Sequence, residues 1–217
     1  MFSMQDVKIK IDDFVILDSV SLKIVAKSLN IIIGSNGAGK TYLLNVISGV
    51  KKPSGGEIIN DFKKRILIPQ NVVYPPHTTL FEYVSSVFYK SGWKWFLSNE
   101  ENAAIENALE QLELLPKKDL YLNQLSGGEL QLANIALSLL SGADFIMLDE
   151  PISNLDLVNL VTVLNILKNL SQQGLTIAIV LHDLNFAAKY GDVFIAISKN
   201  KKIIYVEKNQ VLNEKAL

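Results

Sequence analysis

The stretch NIIIGSNGAGKTYLLNVISGV, residues 30–50, constrains the fold more than any other part of the chain. A short continuous apolar run suits a strand buried on both faces, and the apolar residues after Lys40 recur at helical spacing. Between them Gly34, Ser35, Asn36, Gly37, Ala38, Gly39, Lys40 and Thr41 fit the pattern G-x-x-x-x-G-K-[ST]. The glycines allow backbone N–H groups to wrap a phosphate, Lys40 adds a mobile positive charge, and Thr41 offers a hydroxyl to Mg²⁺. Strand, phosphate-wrapping turn and helix in that order call for an α/β layer with a nucleotide at the strand end.

The rest of the chain can be placed around that unit. ADFIML and LTIAIVL read as further buried strands, with DLVNLVTVLNILKNL as a helix between them, and such alternation implies a mostly parallel core. The opening is different. Val7, Ile9 and Ile11 alternate with lysines, and Val20, Leu22 and Ile24 alternate with Ser and Lys, which suits an antiparallel sheet solvated on one side. From about Pro75 to Ser141 the strand signal disappears, and TLFEYVSSVFY, ENAAIENALEQLELL and ELQLANIALSLL have helical spacing. Residues 1–74 and 142–217 are therefore expected to form the α/β core with its β subdomain, and about 75–141 an inserted helical subdomain. In the second helical stretch Ala104, Ile105, Ala108, Leu109, Leu112 and Leu115 can share one face, as ordinary core packing.

Composition narrows the function classes. With 49% apolar residues, 20% charged residues and a net charge of −1 over 217 residues, the chain suits a globular fold and gives no reason to expect a nucleic-acid partner. It has no cysteine, which removes disulfides and thiolate metal sites and is compatible with the cytosol. MFSMQDVKIK has no apolar signal core, and IALSLLSGADFIML is interrupted by Asp144 and falls short of the ~20 residues a membrane span needs. Work at a membrane would require a second chain. Arg65 is the sole arginine among 21 basic residues, so phosphate charge must be met by lysine, backbone N–H groups and metal.

Three other segments carry chemistry. FIMLDEP ends an apolar strand in Asp149 and Glu150, the first suited to holding Mg²⁺ and the second to polarising a water. TIAIVLHD ends another strand in His182, so three strand ends deliver Lys40, the two carboxylates and His182 toward one edge. In LSGGEL, Ser126 and Glu129 form the S-x-x-E capping box of a helix start. That box leaves Gly127 and Gly128 unexplained, because paired glycines weaken a helix start unless something approaches the backbone closely. A helix entrance stripped of side chains suits an anion. His77, in YPPHTT, reads as a solvated loop residue without a role.

GSNGAGKT, Gln70 in LIPQ, LSGGE, FIMLDEP, Ser153–Asp156 as SNLD, and His182 follow one another in the order and rough spacing of the ATP-binding cassette of ABC transporters. The chain resembles that family over nearly its whole length. The resemblance implies a P-loop NTPase (RecA-like) core with an N-terminal antiparallel β subdomain and an inserted helical subdomain. It implies ATP and Mg²⁺ as cofactors and two cassettes packed head to tail, each ATP lying between the phosphate loop of one and the LSGGE helix of the other. In those terms Lys40 and the loop amides hold the β- and γ-phosphates, Thr41 and Asp149 serve Mg²⁺, and Glu150 is the catalytic base. Gln70 senses metal and attacking water, and His182 senses the γ-phosphate. Ser126, Gly127 and Gly128, with Glu129 at the same helix entrance, reach the partner's nucleotide, and Asp156 links the two sites.

Some positions depart from the family pattern. Ile11 falls where an adenine-stacking aromatic is expected, which leaves Phe14 as the nearest candidate. Glu129 stands for the commoner glutamine, and Leu130 and Leu132 for basic residues. HDLNFAAKYGD and TTLFEYV resemble cassettes serving importers of iron–siderophore, haem or cobalamin complexes, although the chain stops at VLNEKAL where those usually continue. The implied partners are a second ABC subunit, integral membrane permease subunits and, for an importer, a substrate-binding protein. The implied location is the cytoplasmic face of the cell membrane. Another importer, an exporter and a soluble cassette ATPase in cofactor assembly stay open as alternatives.

Overall fold

Five successive residues of β3 (Leu29–Gly34) are fully buried, as a strand flanked by neighbours on both edges and covered on both faces must be. The computed structural model describes residues 1–11, 14–89, 96–151, 156–198 and 202–206. The chain divides into one unit of Met1–Gln70, Asp144–Pro151 and Leu167–Leu217 and another of Asn71–Ala143 and Ile152–Ile166.

In the first unit, β3 pairs in parallel with β7 (Thr176–Val180) and β8 (Val193–Ile197). The six-stranded sheet has the order β5-β6-β7-β3-β8-β9, with β5 (Arg65–Ile68) and β6 (Phe145–Leu148) parallel and β9 (Ile203–Val206) antiparallel to its neighbour. The parallel α/β core expected from sequence is therefore present. A second, antiparallel sheet of order β2-β1-β4 is built from β1 (Phe2–Ile11), β2 (Phe14–Ile24) and β4 (Gly55–Asn60). Phe2, Met4, Val7 and Ile9 of β1 and Leu17, Val20, Leu22 and Ile24 of β2 are buried, while the residues between them are mostly exposed or half-buried. The step from Met4 to Val7 breaks strict alternation because the register shifts there, with Asp6 in the left-handed region at φ 49°.

Helix α1 (Lys40–Ser48) buries Leu43, Leu44, Val46 and Ile47 in one cluster with residues of both sheets. Each such side chain contributes about 1.5–3 kcal/mol relative to exposure. Arg65 closes the far end of α1: its Nη1 donates to the Ile47 carbonyl at 2.5 Å, and its guanidinium lies 5.6 Å from the Phe2 ring centroid. A cation there meets the negative end of the helix dipole, so the single arginine has a structural task. The same unit contains α6 (Leu184–Tyr190), whose first turn is capped by Asp183 accepting from Asn185 N at 2.8 Å and Phe186 N at 3.2 Å.

The second unit is helical. Three of its helices start with the same reciprocal box: Thr79 with Glu82 for α2 (Leu80–Ser85), Ser98 with Glu101 for α3 (Asn99–Gln111), and Ser126 with Glu129 for α4 (Gly127–Leu140). Helix α5 (Leu157–Gln172) begins in this unit. Ile105, Ala108, Leu109 and Leu112 are buried as the helical spacing predicts, but Leu114 takes the core position expected of Leu115. Helix α3 stops at Gln111, and Leu115–Lys117 form a 3₁₀ turn of different pitch, so the 3.6-residue count loses phase. Among the described residues, no helix is long and apolar enough to cross a membrane.

Asn30 is the polar exception inside β3, at 0% exposure. Its Oδ1 accepts from Val25 N at 3.0 Å, and its Nδ2 donates to the carbonyls of Val25 at 3.0 Å and Ile177 at 3.1 Å. The side chain thus ties the turn that enters β3 to the neighbouring strand. Asn30→Ala leaves those groups unsatisfied and is expected to destabilise the protein by about 2–3 kcal/mol in urea unfolding, against less than about 1 kcal/mol for an exposed asparagine such as Asn107.

Candidate functional site

The turn after β3 delivers α1 by its N-terminus. Gly39 caps the helix at φ 99°, with no side chain satisfying the first turn's N–H groups. A Cβ at Gly39 would lie 2.9 Å from Ile16 Cγ2, so glycine is required both by backbone conformation and by close packing. Lys40 is 5% exposed and folds back over the loop, its Nζ donating to the carbonyls of Gly34 at 2.9 Å and Ser35 at 3.0 Å. Burial lowers its pKa, against the raising influence of Glu150 and Asp149. A cleft of about 320 Å³ opens here, lined by Asn36, Gly37, Gly39, Lys40, Thr41 and Glu150, with Ile16 and Tyr42 as its apolar members.

Strand β6 supplies the carboxylates. Asp149 is 5% exposed, hydrogen-bonds the Thr41 side chain, and keeps Oδ1 buried without a protein partner. Burial raises its pKa, reinforced by the neighbouring Glu150. A desolvated carboxylate oxygen beside a hydroxyl is the donor set that a small hard cation takes when most of its other ligands are water and phosphate. Glu150 follows in the left-handed region at φ 48°. Its Oε1 lies 2.7 Å from His182 Nε2, and its Oε2 accepts from Gln70 Nε2 at 3.3 Å. The ends of β5, β6 and β7 thereby join Gln70, Glu150 and His182 in one hydrogen-bonded group, in the same unit as the phosphate loop.

The second unit holds the other residues singled out in sequence. Glu129 N donates to Ser126 Oγ at 3.3 Å, Ser126 N donates to Glu129 Oε2 at 2.8 Å, and Lys117 pairs with Glu129. Asp156 caps α5, its Oδ1 accepting from Asn159 N at 2.8 Å and its Oδ2 from Asn159 Nδ2 at 2.9 Å. A Cβ at Gly128 would lie 3.0 Å from Asn159 Cβ and 3.3 Å from its Cγ. The close approach that the glycine pair calls for is thus made at Gly128 by the chain's own Asn159, whereas Gly127 is exposed. Ser153 and the two residues after it lie outside the described residues.

A family profile described as "ABC transporter" matches residues 17–153, which take in the phosphate loop, LSGGE and the β6 carboxylates. The chain belongs to the ABC transporter family of ATP-binding proteins. It is 34% identical over 205 residues to the Bacillus subtilis probable siderophore transport system ATP-binding protein YusV, covering 88% of this chain and 74% of that protein. It is 36% identical over 205 residues to the petrobactin import ATP-binding protein YclP of the same organism, covering 88% and 80%. Among solved structures it superposes, with a TM-score of 0.79 and 26% identity, on the dimeric post-hydrolysis state of the ATP-binding cassette MJ0796 bound to ADP and Pi, covering 96% of this chain and 99% of that one. The cassette is an ATPase subunit of the ABC transporter type.

Phe14 stands apart from the cassette's cleft. It is 77% exposed at the start of β2 and is not among the residues lining the cavity. Ile16 and Tyr42, which do line it, were not singled out in sequence. The signals that could have found them are the unbroken apolar run FVIL, which leaves β2 apolar on both faces there, and the aromatic directly after Thr41. The left-handed backbone at Glu150 also has a consequence for stability. Glu150→Gly and Glu150→Ala both remove the carboxylate, but only glycine accepts φ 48° freely, so the glycine variant is expected to be about 1 kcal/mol the more stable in urea unfolding. Equal stabilities would mean that the position carries no strain.

Proposed function

We propose that this cassette drives import of a metal chelate of the iron–siderophore class, working as one of two cassettes that close head to tail over ATP and Mg²⁺. The observation that carries the catalytic part is the grouping of Gln70, Asp149, Glu150 and His182 beside the phosphate loop, with one buried oxygen of Asp149 left for a cation. The names of the siderophore and petrobactin relatives support the cargo class. The permease would hold the cassette at the cytoplasmic face of the membrane, with a substrate-binding protein delivering the chelate on the other side.

Lys40 and the N–H groups of Ser35 to Thr41 bind the β- and γ-phosphates, so Lys40 exchanges two backbone carbonyls for phosphate oxygens when ATP enters. Thr41, Asp149 and Gln70 would hold Mg²⁺, which would supply positive charge against the phosphates. Glu150 accepts the proton of the attacking water, and His182, donating from Nε2 to Glu150, keeps the carboxylate aimed and serves as the sensor of the γ-phosphate. Ser126, Gly127 and Gly128 meet the γ-phosphate held by the partner cassette, and Glu129 fixes their helix entrance. Asp156, tied through Asn159 to Gly128, joins the two half-sites.

Two substitutions test this division of labour. Glu150→Gln should keep ATP affinity while lowering turnover at least about a hundredfold, and should accumulate an ATP-bound dimer on size-exclusion chromatography. Near-normal hydrolysis would remove Glu150 from the role of base. Ser126→Arg should leave ATP binding by the single cassette intact and abolish ATP-dependent dimerisation. Loss of nucleotide binding by the monomer would contradict a role across the dimer. For the cargo, cells lacking this chain should lose uptake of radiolabelled ferric siderophore, and undiminished uptake would rule that class out.

A further inference from the structure

The cleft at the phosphate loop has a polar and an apolar part. Asn36, Lys40, Thr41 and Glu150 account for its polar side chains, and Ile16 and Tyr42 for its apolar ones. Both apolar residues are partly buried and packed against the hydrophobic core, so both are held in place. Ile16 presses on the loop itself, reaching to 2.9 Å from where a Cβ of Gly39 would stand. Lys51 Nζ lies 4.8 Å from the centroid of the Tyr42 ring and fixes it further.

A nucleoside triphosphate has the same two-part character. Its triphosphate needs charge and N–H groups, and its base presents a flat apolar face. An ordered aromatic ring binds such a face at little entropic cost, because few torsions remain to be frozen. Phe14, at 77% exposure and outside the cleft lining, lacks both the packing and the position. Resting on the reading of this cleft as the ATP site, we propose that Tyr42, seated beside Ile16, is the platform for the nucleobase. The aromatic contact then comes from the first turn of α1, next to the residues that bind phosphate, and not from the start of β2.

Calorimetric titration of the full chain with ATP and with inorganic tripolyphosphate, both with Mg²⁺, separates base contacts from phosphate contacts. Tyr42→Leu keeps an apolar packing group but removes the ring, and should weaken ATP binding about tenfold while leaving tripolyphosphate within about twofold of the parent. Tyr42→Phe should bind ATP within about twofold of the parent, and Phe14→Ala should be unchanged. The proposal is overturned if Tyr42→Leu binds ATP normally, if it loses ATP and tripolyphosphate alike, or if Phe14→Ala suffers the ATP-specific loss. A parent chain that binds neither ligand would instead sink the ATP reading on which the proposal rests.

Discussion

The burial of α1 among the strands of both sheets is the constraint on which the first unit depends. Leu43, Leu44, Val46 and Ile47 join the antiparallel sheet and the parallel sheet into one core, so the helix can neither slide nor turn without disturbing both. Its N-terminus is consequently fixed at the end of β3, and the backbone between them must complete its turn within Ser35–Gly39. Arg65 fixes the other end, through the Ile47 carbonyl and the Phe2 ring. A helix held at both ends keeps the backbone N–H groups of its first turn in a fixed direction, which is the condition for strong electrostatic stabilisation of an anion there.

What the core gains in order, the site gives up in stability. Lys40 and Asp149 are each 5% exposed, and burial disfavours the charged form of both. One oxygen of Asp149 has no protein partner, and Glu150 holds a left-handed backbone that costs about 1–3 kcal/mol in non-glycine residues. These unfavourable features adjoin one another at the ends of β3 and β6, where a nucleotide and its cation would relieve the charge. The hydrogen bonds of Gln70 and His182 to Glu150 maintain the direction of a carboxylate carried on this left-handed backbone.

The LSGGE stretch needs a more limited reading than its sequence alone suggests. Capping boxes at Thr79, Ser98 and Ser126 show that Ser126 and Glu129 follow the ordinary habit of this helical unit. Gly128 is accounted for by the Asn159 side chain, itself bound by Asp156. Gly127 remains the exposed glycine at the entrance. The helix start is therefore built as much to fit α5 as to face a ligand, and Asn159 lies between Asp156, which caps α5, and Gly128 in the first turn of α4.

Elements whose signal is local are legible in the order of the amino acids. The phosphate loop, the buried runs of β3, β6 and β7, the alternation of β1 and β2, and the capping box at Ser126 each follow from spacing along a few residues. So do Asp149, Glu150 and His182, because each follows an apolar run that reads as a strand, whereas Gln70 follows β5 and is legible only through the family resemblance. Tertiary structure alone decided what depends on partners distant in sequence. The short strands β4, β5, β8 and β9 exist through their neighbours in a sheet, and Asn30 is tolerable only because Val25 and Ile177 answer it. Likewise Ile16 reaches the loop from a different sheet, Leu114 displaces Leu115 after α3 changes pitch, and Asn159 fills the space above Gly128. Local pattern records which face of an element is apolar, but it holds no record of what will be packed against that face.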